Sequence, residues 1–391
     1  MKVTQISNGR FHHFHLARQM EKHGILEKIY TGYPMFKLRD ETGIPQNKIK
    51  TFPWLLAPYM KRGILGLDKW NWLNLEWAWQ DHESLDKYVA SHIKGPTTLI
   101  ALSGCGLHSG KAVQANGGYF ICDRGSSHIR FQNEILIGEY KRWGLKFQGI
   151  DPRMIEKEEA EYEISDLITV PSEFVRNSFI KQGIPVEKIV KIPYGSRIDR
   201  FKQTGKPPGD SFRVLWVGGI SIRKGFFYAL EAFQKLEHRN KEFIVIGELS
   251  GEIKPLLNSK NLNNVHFKGI ISNDKLAQYY STSNVFVIPS IEEGLAMVQG
   301  EALACGCPVI ASTNTGAEDL FTDGREGFIV PIRSVDAITH RLQQLADDNS
   351  LRERMSQAAI KRVQSMGGWD QYGDEIANIV YKWQCTFFKQ I

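Results

Sequence analysis

The feature that most constrains the fold is an alternation, through residues 206–391, of short β-branched runs with segments of helical period. The runs are largely apolar, as strands are when helices cover both faces of a parallel sheet. Helical patterns fill most of the gaps between them, so we predict a doubly wound α/β domain. Its predicted strands are Arg213–Gly219, Glu242–Glu248, Val265–Gly269, Asn284–Ser290, Pro308–Ser312 and Gly327–Pro331.

Residues 1–205 carry the same pattern less regularly. The stretch Gln203–Ser211 is rich in Gly, Pro and polar residues, as linkers are, and we place a domain boundary there, after residue 205. Because ligands bind at the carboxyl ends of strands in open α/β sheets, two such domains would share a site in the cleft between them. The predicted strands of this half are Val3–Ser7, Thr97–Leu102, Tyr119–Cys122 and Asp166–Val170.

Composition and charge exclude several classes of protein. Hydrophobic residues make up 42% and charged residues 24%, as in ordinary globular chains, and no uncharged stretch is long enough for a spanning helix. The net charge of +6 arises from +7 in residues 1–205 and −1 in the rest. The positive charge is too diffuse to indicate nucleic acid, although it suits an anionic membrane surface or acceptor. We find no secretory signal, and the five scattered cysteines are no disulfide framework, so we expect a cytoplasmic protein.

The strongest motif is Glu293-Gly-Leu-Ala-Met-Val-Gln-Gly-Glu301, which follows a predicted strand. Eight residues are about two helical turns, so we expect Glu293 and Glu301 on one helix face, roughly 12 Å apart, where two carboxylates would grip hydroxyl groups of one elongated ligand. Between them, the N–H groups of Gly294, Leu295 and Ala296 would open the helix and attract an anion. The alternative is a pair of ordinary surface glutamates.

A second motif, Val217-Gly-Gly-Ile-Ser-Ile-Arg-Lys-Gly225, also joins a strand to a helix. Gly218 and Gly219 would let the backbone approach a ligand closely. Arg223 and Lys224, just before the helix, suit a diphosphate that gains charge as it leaves. The alternative for the two cations is a solvated helix start.

Together these elements resemble the retaining glycosyltransferases of family 4, the glycosyl transferases group 1. The resemblance is dense over residues 165–375 and thin over 1–164. Its matched elements, in order, are the Gly9 loop, Val170-Pro-Ser-Glu-Phe, Ile192-Pro-Tyr-Gly-Ser-Arg-Ile-Asp-Arg-Phe201, Lys224-Gly225, Val265-His-Phe-Lys-Gly269, Pro289-Ser290, the Glu293/Glu301 pair, Gly316-Ala-Glu, Asp323-Gly, Gly327 and Trp369-Asp-Gln-Tyr372.

The resemblance implies a GT-B architecture, in which two Rossmann-like domains face a central cleft. Residues 1–205 would form the acceptor domain and 206–369 the nucleotide-sugar donor domain, with a final helix at about 370–391 packed back onto the first domain. Glu293 would hold donor-sugar hydroxyls and Glu301 the ribose. Arg223 and Lys224 would neutralise the diphosphate of a UDP- or GDP-type sugar, so neither a metal nor a further cofactor is expected.

The resemblance also assigns the remaining donor contacts. The backbone at Lys268-Gly269 would meet the base, and the Gly9 loop would close over the phosphates from the other domain. The chain departs from the family pattern at Gly219, where the usual arginine is missing, and at Ala296, which replaces the second glycine of the usual run.

The acceptor-side group is expected in Cys122-Asp-Arg-Gly-Ser-Ser-His128, directly after a predicted strand. The resemblance places a histidine near this strand end, and we favour His128 as catalytic. Asp123 and Arg124 are its rivals. The alternative for His128 is a capping or core histidine.

A histidine cluster and a tryptophan-rich segment each allow a functional and a structural interpretation. His12-His-Phe-His15 has the residue type of a metal site, but no carboxylate lies nearby in sequence and adjacent side chains should point apart, so we favour a structural or acceptor-contact role. Trp54, Trp70, Trp72, Trp77 and Trp79 fall among basic residues. We favour a packed helical insertion there, with an interfacial membrane patch as the alternative.

We therefore predict a retaining, metal-independent hexosyltransferase that moves a sugar from a nucleotide diphosphate to an acceptor hydroxyl. Polysaccharide, glycolipid or other glycoconjugate synthesis would be its setting, with an acceptor that is lipid-linked, polymeric or small. The main alternative is a non-catalytic GT-B subunit that binds a sugar nucleotide or glycan. A dehydrogenase or epimerase is disfavoured because no G-x-G-x-x-G motif follows a strand with the expected acidic residue downstream.

Overall fold

A computed structural model describes residues 2–64, 66–195 and 200–387 and shows two parallel β-sheets. The first sheet has strands β1 to β7 and the second β8 to β13. Their bounds are β1 Val3–Ser7, β2 Leu26–Thr31, β3 Ile49–Thr51, β4 Thr98–Leu102, β5 Tyr119–Asp123, β6 Leu167–Val170, β7 Ile189–Lys191, β8 Phe212–Val217, β9 Lys241–Ile246, β10 Val265–Gly269, β11 Val285–Ile288, β12 Val309–Ser312 and β13 Gly327–Val330.

Helices connect these strands and cover the sheets. Short 3₁₀ turns add Met35–Leu38, Gln46–Lys48, Leu67–Lys69, Val186–Lys188 and Thr313–Thr315. The α-helices are α1 His13–Lys22, α2 Leu56–Lys61, α3 Asn71–Ala90, α4 Leu107–Ala115, α5 Ile129–Arg142, α6 Pro152–Ile164, α7 Glu173–Lys181, α8 Phe226–Lys235, α9 Lys254–Leu257, α10 Asn273–Ser281, α11 Met297–Ala304, α12 Ala317–Leu320, α13 Val335–Asp347, α14 Asn349–Gln364 and α15 Gly368–Phe387.

Both sheets have the strand order of a doubly wound domain, which confirms the predicted fold class. The first runs β3-β2-β1-β4-β5-β6-β7 and the second β10-β9-β8-β11-β12-β13, with every pair parallel. The order reverses beside β1 and beside β8, and such switch points open a crevice at the carboxyl ends of the strands. Each sheet therefore presents the loops after its central strands to the cleft.

The final helix, α15, lies on α1 of the first domain. Gln19 Nε2 donates to Asp370 Oδ1 at 2.8 Å, while Tyr372 and Ile376 are buried in the first domain's core. The first sheet ends at Lys191 and the second begins at Phe212; the domain boundary after residue 205 stays a prediction. Residues 196–199 of the 192–201 motif and residues 388–391 lie outside the described part of the chain.

One helix of the first domain is packed into the second. The side chain of Trp143, just after α5, lies against Phe227 with ring centroids 4.8 Å apart. Glu139, fully buried on α5, accepts hydrogen bonds from Tyr228 Oη at 2.7 Å and from Arg333 Nε at 2.6 Å. The two domains therefore share a buried contact on one side of the cleft.

The tryptophan-rich segment is helical, but much of it is not packed. Trp54 is 74% exposed, Trp72 68% and Trp70 55%, so the prediction of a packed insertion is wrong for these three side chains. Trp77 and Trp79 are partly buried on α3. Within the described residues, no helix is both long and apolar enough to cross a bilayer.

Candidate active site

The loop after β8 and the loop after β11 meet at the carboxyl edge of the second sheet. Lys224 Nζ contacts Glu293 Oε1, and Ser290 Oγ donates to Glu293 Oε2 at 3.1 Å. Gly225 has φ +73°, and a Cβ there would stand 2.1 Å from the carbonyl oxygen of Pro289, so only glycine fits this crossing. That close crossing brings Lys224 to Glu293, two of the predicted site residues.

Arg223 binds a neighbouring carboxylate that the sequence analysis missed. Its Nε lies 3.0 Å from both the carbonyl oxygen and Oε2 of Glu292, and its Nη2 donates to Ser126 Oγ at 3.3 Å. Glu292 is fully buried and also accepts from Ser127 N at 3.0 Å and Ser127 Oγ at 2.8 Å. Arg223 and Glu292 therefore connect the loops after β8 and β11 to the loop after β5 of the first domain.

The electrostatics of Glu292 follow from these contacts. Burial disfavours its charge, but Arg223 and the donors on Ser127 and Gln132 outweigh burial and lower the pKa of Glu292. Gln132 Nε2 donates to its Oε2 at 3.0 Å. The sequence did contain a signal for Glu292: it stands next to Glu293 after a predicted strand, and only Glu293 had been assigned a ligand.

Glu301 is placed differently from the prediction. Helix α11 begins at Met297, four residues after Glu293, so the expected two-turn spacing along one helix face is wrong. The strand-to-helix connection after β11 takes an irregular path that a residue count alone could not show. Glu301 is partly buried, and Tyr280 Oη donates to its Oε2 at 3.2 Å.

The segment Gly294–Ala296 does not open a helix as expected. Ala296 is the residue before α11, and its N–H donates to the carbonyl oxygen of Thr315 at 3.0 Å. Leu295 is buried. A Cβ at Gly294 would lie 1.8 Å from the carbonyl oxygen of Gly125, so at this point the backbones of the two domains touch.

The predicted glycines lie at the carboxyl edges. Gly218 and Gly219 follow β8, and a Cβ on either would meet nothing within 4 Å, so space for a ligand remains there. Gly9 follows β1, and Ser7 Oγ donates to its carbonyl oxygen at 2.8 Å. Lys268 and Gly269 are exposed at the end of β10, the edge strand.

Two of the predicted acceptor-side residues have structural contacts. His128 is the N-cap of α5, where its Nδ1 accepts from Arg130 N at 3.3 Å, and burial lowers the pKa of His128 to about 4. His128 therefore has the capping role that was the alternative interpretation of this residue. Arg124 is buried and donates to Glu158 Oε2 at 2.6 Å and to the carbonyl oxygen of Ser127 at 3.0 Å.

Asp123, the third candidate, has partners that were not expected. His12 Nε2 contacts Asp123 Oδ2, and His13 Nε2 lies 3.1 Å from the same oxygen. Adjacent histidines were expected to point apart without a carboxylate partner, and both expectations are wrong. His12 precedes α1 while His13 begins it, so the backbone still turns between them and both rings reach the end of β5.

Residues 197–362 match the family model described as glycosyl transferases group 1. This part of the chain is therefore similar to that family. An uncharacterised glycosyltransferase of Methanocaldococcus jannaschii is 25% identical over 374 residues, 91% of this chain and 89% of that one. The capsular polysaccharide biosynthesis glycosyltransferase CapM of Staphylococcus aureus is 30% identical over 221 residues, 51% and 57% of the two chains.

Solved structures support a GT-B fold for this chain. Sucrose-phosphate synthase of Thermosynechococcus elongatus superposes with a TM-score of 0.71 at 18% identity, over 99% of this chain and 100% of that one. Anabaena HepE in complex with UDP-glucose gives 0.69 at 16% identity, over 98% and 100%. The chain therefore has two Rossmann-like domains facing a central cleft, as predicted.

Proposed function

We propose that the chain transfers a hexose from a nucleotide diphosphate to an acceptor hydroxyl in the synthesis of a polysaccharide, glycolipid or other glycoconjugate, with the anomeric configuration retained. The observation that carries the proposal is the pairing of Lys224 with Glu293 at the carboxyl edge of the second sheet, opposite the first domain. A cation for a diphosphate and a carboxylate for sugar hydroxyls are thereby held side by side.

The donor we propose is a UDP- or GDP-sugar. In its support, the neighbouring HepE structures contain UDP and UDP-glucose, and the open space at Gly218 and Gly219 adjoins the two cations. Glu301 would bind the ribose, and the backbone at Lys268-Gly269 would bind the base. Lys224 would exchange part of its contact with Glu293 for a phosphate oxygen, which leaves Glu293 free to accept from sugar hydroxyls.

The transfer step we propose needs no metal at the diphosphate. The acceptor oxygen forms a bond to the anomeric carbon on the face from which the diphosphate leaves, while the bond from that carbon to the diphosphate oxygen breaks. The acceptor proton passes to the departing diphosphate oxygen. Arg223 and Lys224 stabilise the charge that develops there, where the closed cleft excludes water.

We also propose that the first domain meets its acceptor at an anionic membrane surface on the cytoplasmic side. The exposed side chains of Trp54, Met60, Ile64, Trp70 and Trp72, which lie in one short segment of the sequence, support this. Lys61, Arg62 and Lys69 lie among these residues in the sequence, and tryptophan with basic side chains is typical of interfacial segments. Leu56 of the same segment packs beside Gly32, directly after β2, so part of the segment lies near the carboxyl edge of the first sheet.

The test begins with thermal shifts of the purified chain in a panel of UDP- and GDP-sugars, because binding to the folded state raises its stability. The stabilising donor is then supplied with lipid-linked and soluble glycan acceptors, and NMR assigns the anomer of the product. We expect transfer with retention, and its loss in Glu293→Gln. Binding of a donor with neither transfer nor hydrolysis would instead favour the non-catalytic subunit, and an inverted product would refute the proposed mechanism.

A further inference from the structure

A cluster of ligand-type side chains lies behind the cleft, outside the proposed donor site. His12 Nε2 contacts Asp123 Oδ2, His13 Nε2 is 3.1 Å from that oxygen, and one ligand atom from each of the three residues lies within 4.8 Å of the others. All three side chains are at least nine-tenths buried. Within the described residues, this is the one group of three or more His, Cys, Asp and Glu residues that could hold a metal.

The carboxylate of Asp123 is oriented by its other oxygen. Thr169 Oγ1 on β6 donates to Asp123 Oδ1 at 2.7 Å, which leaves Oδ2 directed at the two imidazoles. A carboxylate fixed by an outer hydrogen bond is the usual arrangement of a carboxylate that binds a metal.

His13 supplies an independent observation. Its side chain is fully buried, and neither ring nitrogen makes a hydrogen bond within the described part of the chain. Its 3.1 Å approach to Asp123 is close enough for a hydrogen bond but does not have the geometry of one. A buried polar nitrogen without a partner costs free energy, and a cation bound at Nε2 would remove that cost for Nε2.

We propose that His12, His13 and Asp123 bind one divalent transition-metal ion of the zinc class. Imidazole and carboxylate are ligands that such ions accept, and three protein ligands leave a further position for water or a ligand atom. Bonds of about 2.0 Å in a tetrahedral site place ligand atoms roughly 3.3 Å apart, close to the observed approach of His13 to Asp123. His12 contacts the carboxylate directly, so its ring would have to move back from Asp123 to admit the ion.

This site goes beyond the proposed function and does not depend on it. Arg223 and Lys224 remain the groups for the diphosphate, on the other domain. Asp123 is followed by the loop whose Gly125 touches Gly294 and whose Ser127 binds Glu292. A metal on Asp123 would therefore fasten α1 to β5 beneath the loop that forms the first domain's side of the cleft.

The same helix offers a matched control. His15 lies two residues after His13, but its ring stacks on Trp369 with centroids 4.1 Å apart, and its Nδ1 is 2.8 Å from Arg18 Nη2. It is thus a histidine of the same motif that faces away from Asp123. His15→Gln should leave metal binding unchanged.

The experiment titrates the EDTA-stripped full chain with Co²⁺, followed by visible absorption, and then displaces Co²⁺ with Zn²⁺. We expect one Co²⁺ per chain with the strong bands of a low-symmetry site, and a melting temperature that Zn²⁺ raises. His12→Gln and His13→Gln should each abolish the bands. Thr169→Val should weaken affinity by about 10–100-fold, as loss of an outer-shell partner does.

Three outcomes would overturn the proposal. They are the absence of stoichiometric Co²⁺ or Zn²⁺ binding by the wild-type chain, undiminished binding by a folded His12→Gln chain, and an equal loss in His15→Gln. Circular dichroism in EDTA reports whether each variant folds. If buried His13→Gln fails to fold, His12→Gln and Thr169→Val still decide the matter, because His12 is the least buried of the three ligands and valine keeps the size of Thr169.

Discussion

The two sides of the cleft carry similar residue types but use their charges differently. On the second domain, Lys224 pairs with Glu293 while both side chains stay partly exposed. On the first domain, Arg124 pairs with Glu158 in the interior, where each side chain is less than a tenth exposed. A partly exposed pair can exchange its partner for a ligand at small cost, whereas a buried pair cannot be opened cheaply. We therefore expect exchange with a sugar donor at the second domain's pair, whereas the first domain's pair supports its loop.

The largest effect should come from breaking the buried pair. Arg124→Met leaves the carboxylate of Glu158 buried with Tyr162 Oη as its remaining donor, and we expect a loss of about 3–5 kcal/mol in the free energy of unfolding. Urea denaturation followed by circular dichroism measures it.

The double variant Arg124→Met/Glu158→Met is the control for this loss. Two apolar side chains that replace a buried ion pair are often tolerated, so much of the stability should return. If Arg124→Met has the same urea midpoint of unfolding as the wild type, the pair does not stabilise the fold, and the contrast between the two sides of the cleft fails.

The next largest effect should be on kcat/KM, with little change in stability. Lys224→Met removes the cation proposed for the departing diphosphate, and kcat/KM should fall by about 10²–10³-fold, as when one group that stabilises a developing charge is lost. The melting temperature should change little, because the pair with Glu293 is partly exposed.

The matched control is Lys235→Met. Lys235 also forms an ion pair, with Asp336 at 2.8 Å, but both side chains are mostly exposed and far along α8 from the cleft. Its kcat/KM should stay at the wild-type value. Equal activity of Lys224→Met and Lys235→Met would contradict the donor-side assignment.

A third effect depends on pH. Burial lowers the pKa of His128 to about 4 from an unfolded value of about 6.5, so the unfolded chain binds the extra proton first. Above about pH 6.5 the contribution of His128 to the free energy of unfolding is complete. As the pH falls towards about 4, that contribution is lost, and the free energy of unfolding decreases by up to about 3 kcal/mol.

His128→Asn isolates this contribution, because asparagine keeps an N-cap acceptor for Arg130 N without titrating in that range. Unfolding free energies of wild type and variant, measured between about pH 4 and 7, should converge towards the acid end. Parallel curves would show that His128 is not buried in its neutral form.

These contrasts also explain what the sequence could predict. The strands of the second half were found within one or two residues, because most of them are largely apolar runs, as strands covered on both faces are. The edge strand β10, Val-His-Phe-Lys-Gly, is the exception, since most of it is exposed. In the first half, β2, β3 and β7 were missed. The first reads Leu-Glu-Lys-Ile-Tyr-Thr, with two charges, and the other two have three residues each, too few for a pattern.

The site divides in the same way. Lys224 and Glu293 lie in the loops after β8 and β11, which are neighbouring strands, so two strand-to-helix loops were enough to indicate a shared site. Asp123 meets His12 and His13 only because β5 and β1 belong to one sheet with β4 between them, and Asp123 lies 111 positions after His12. No local pattern encodes such a contact, nor the pairing of Glu292 with Ser127 of the other domain.

The smallest effect should come from Glu292→Gln, which joins the two sides. Glutamine keeps the size and an acceptor for Ser127 N but removes the charge opposite Arg223. Because hydrogen bonds to a charged group contribute about 1.5–3 kcal/mol and some partners remain, we expect about a tenfold rise in the donor KM with a smaller change in kcat. The reason is that Arg223 loses the charged carboxylate that positions it, while Lys224 and Glu293 keep their partners.

Steady-state kinetics with varied donor measure the two constants separately. A fall in kcat at unchanged KM would instead place Glu292 among the groups that act on the transition state, and the division between ligand-binding and supporting charges would have to be redrawn at this residue.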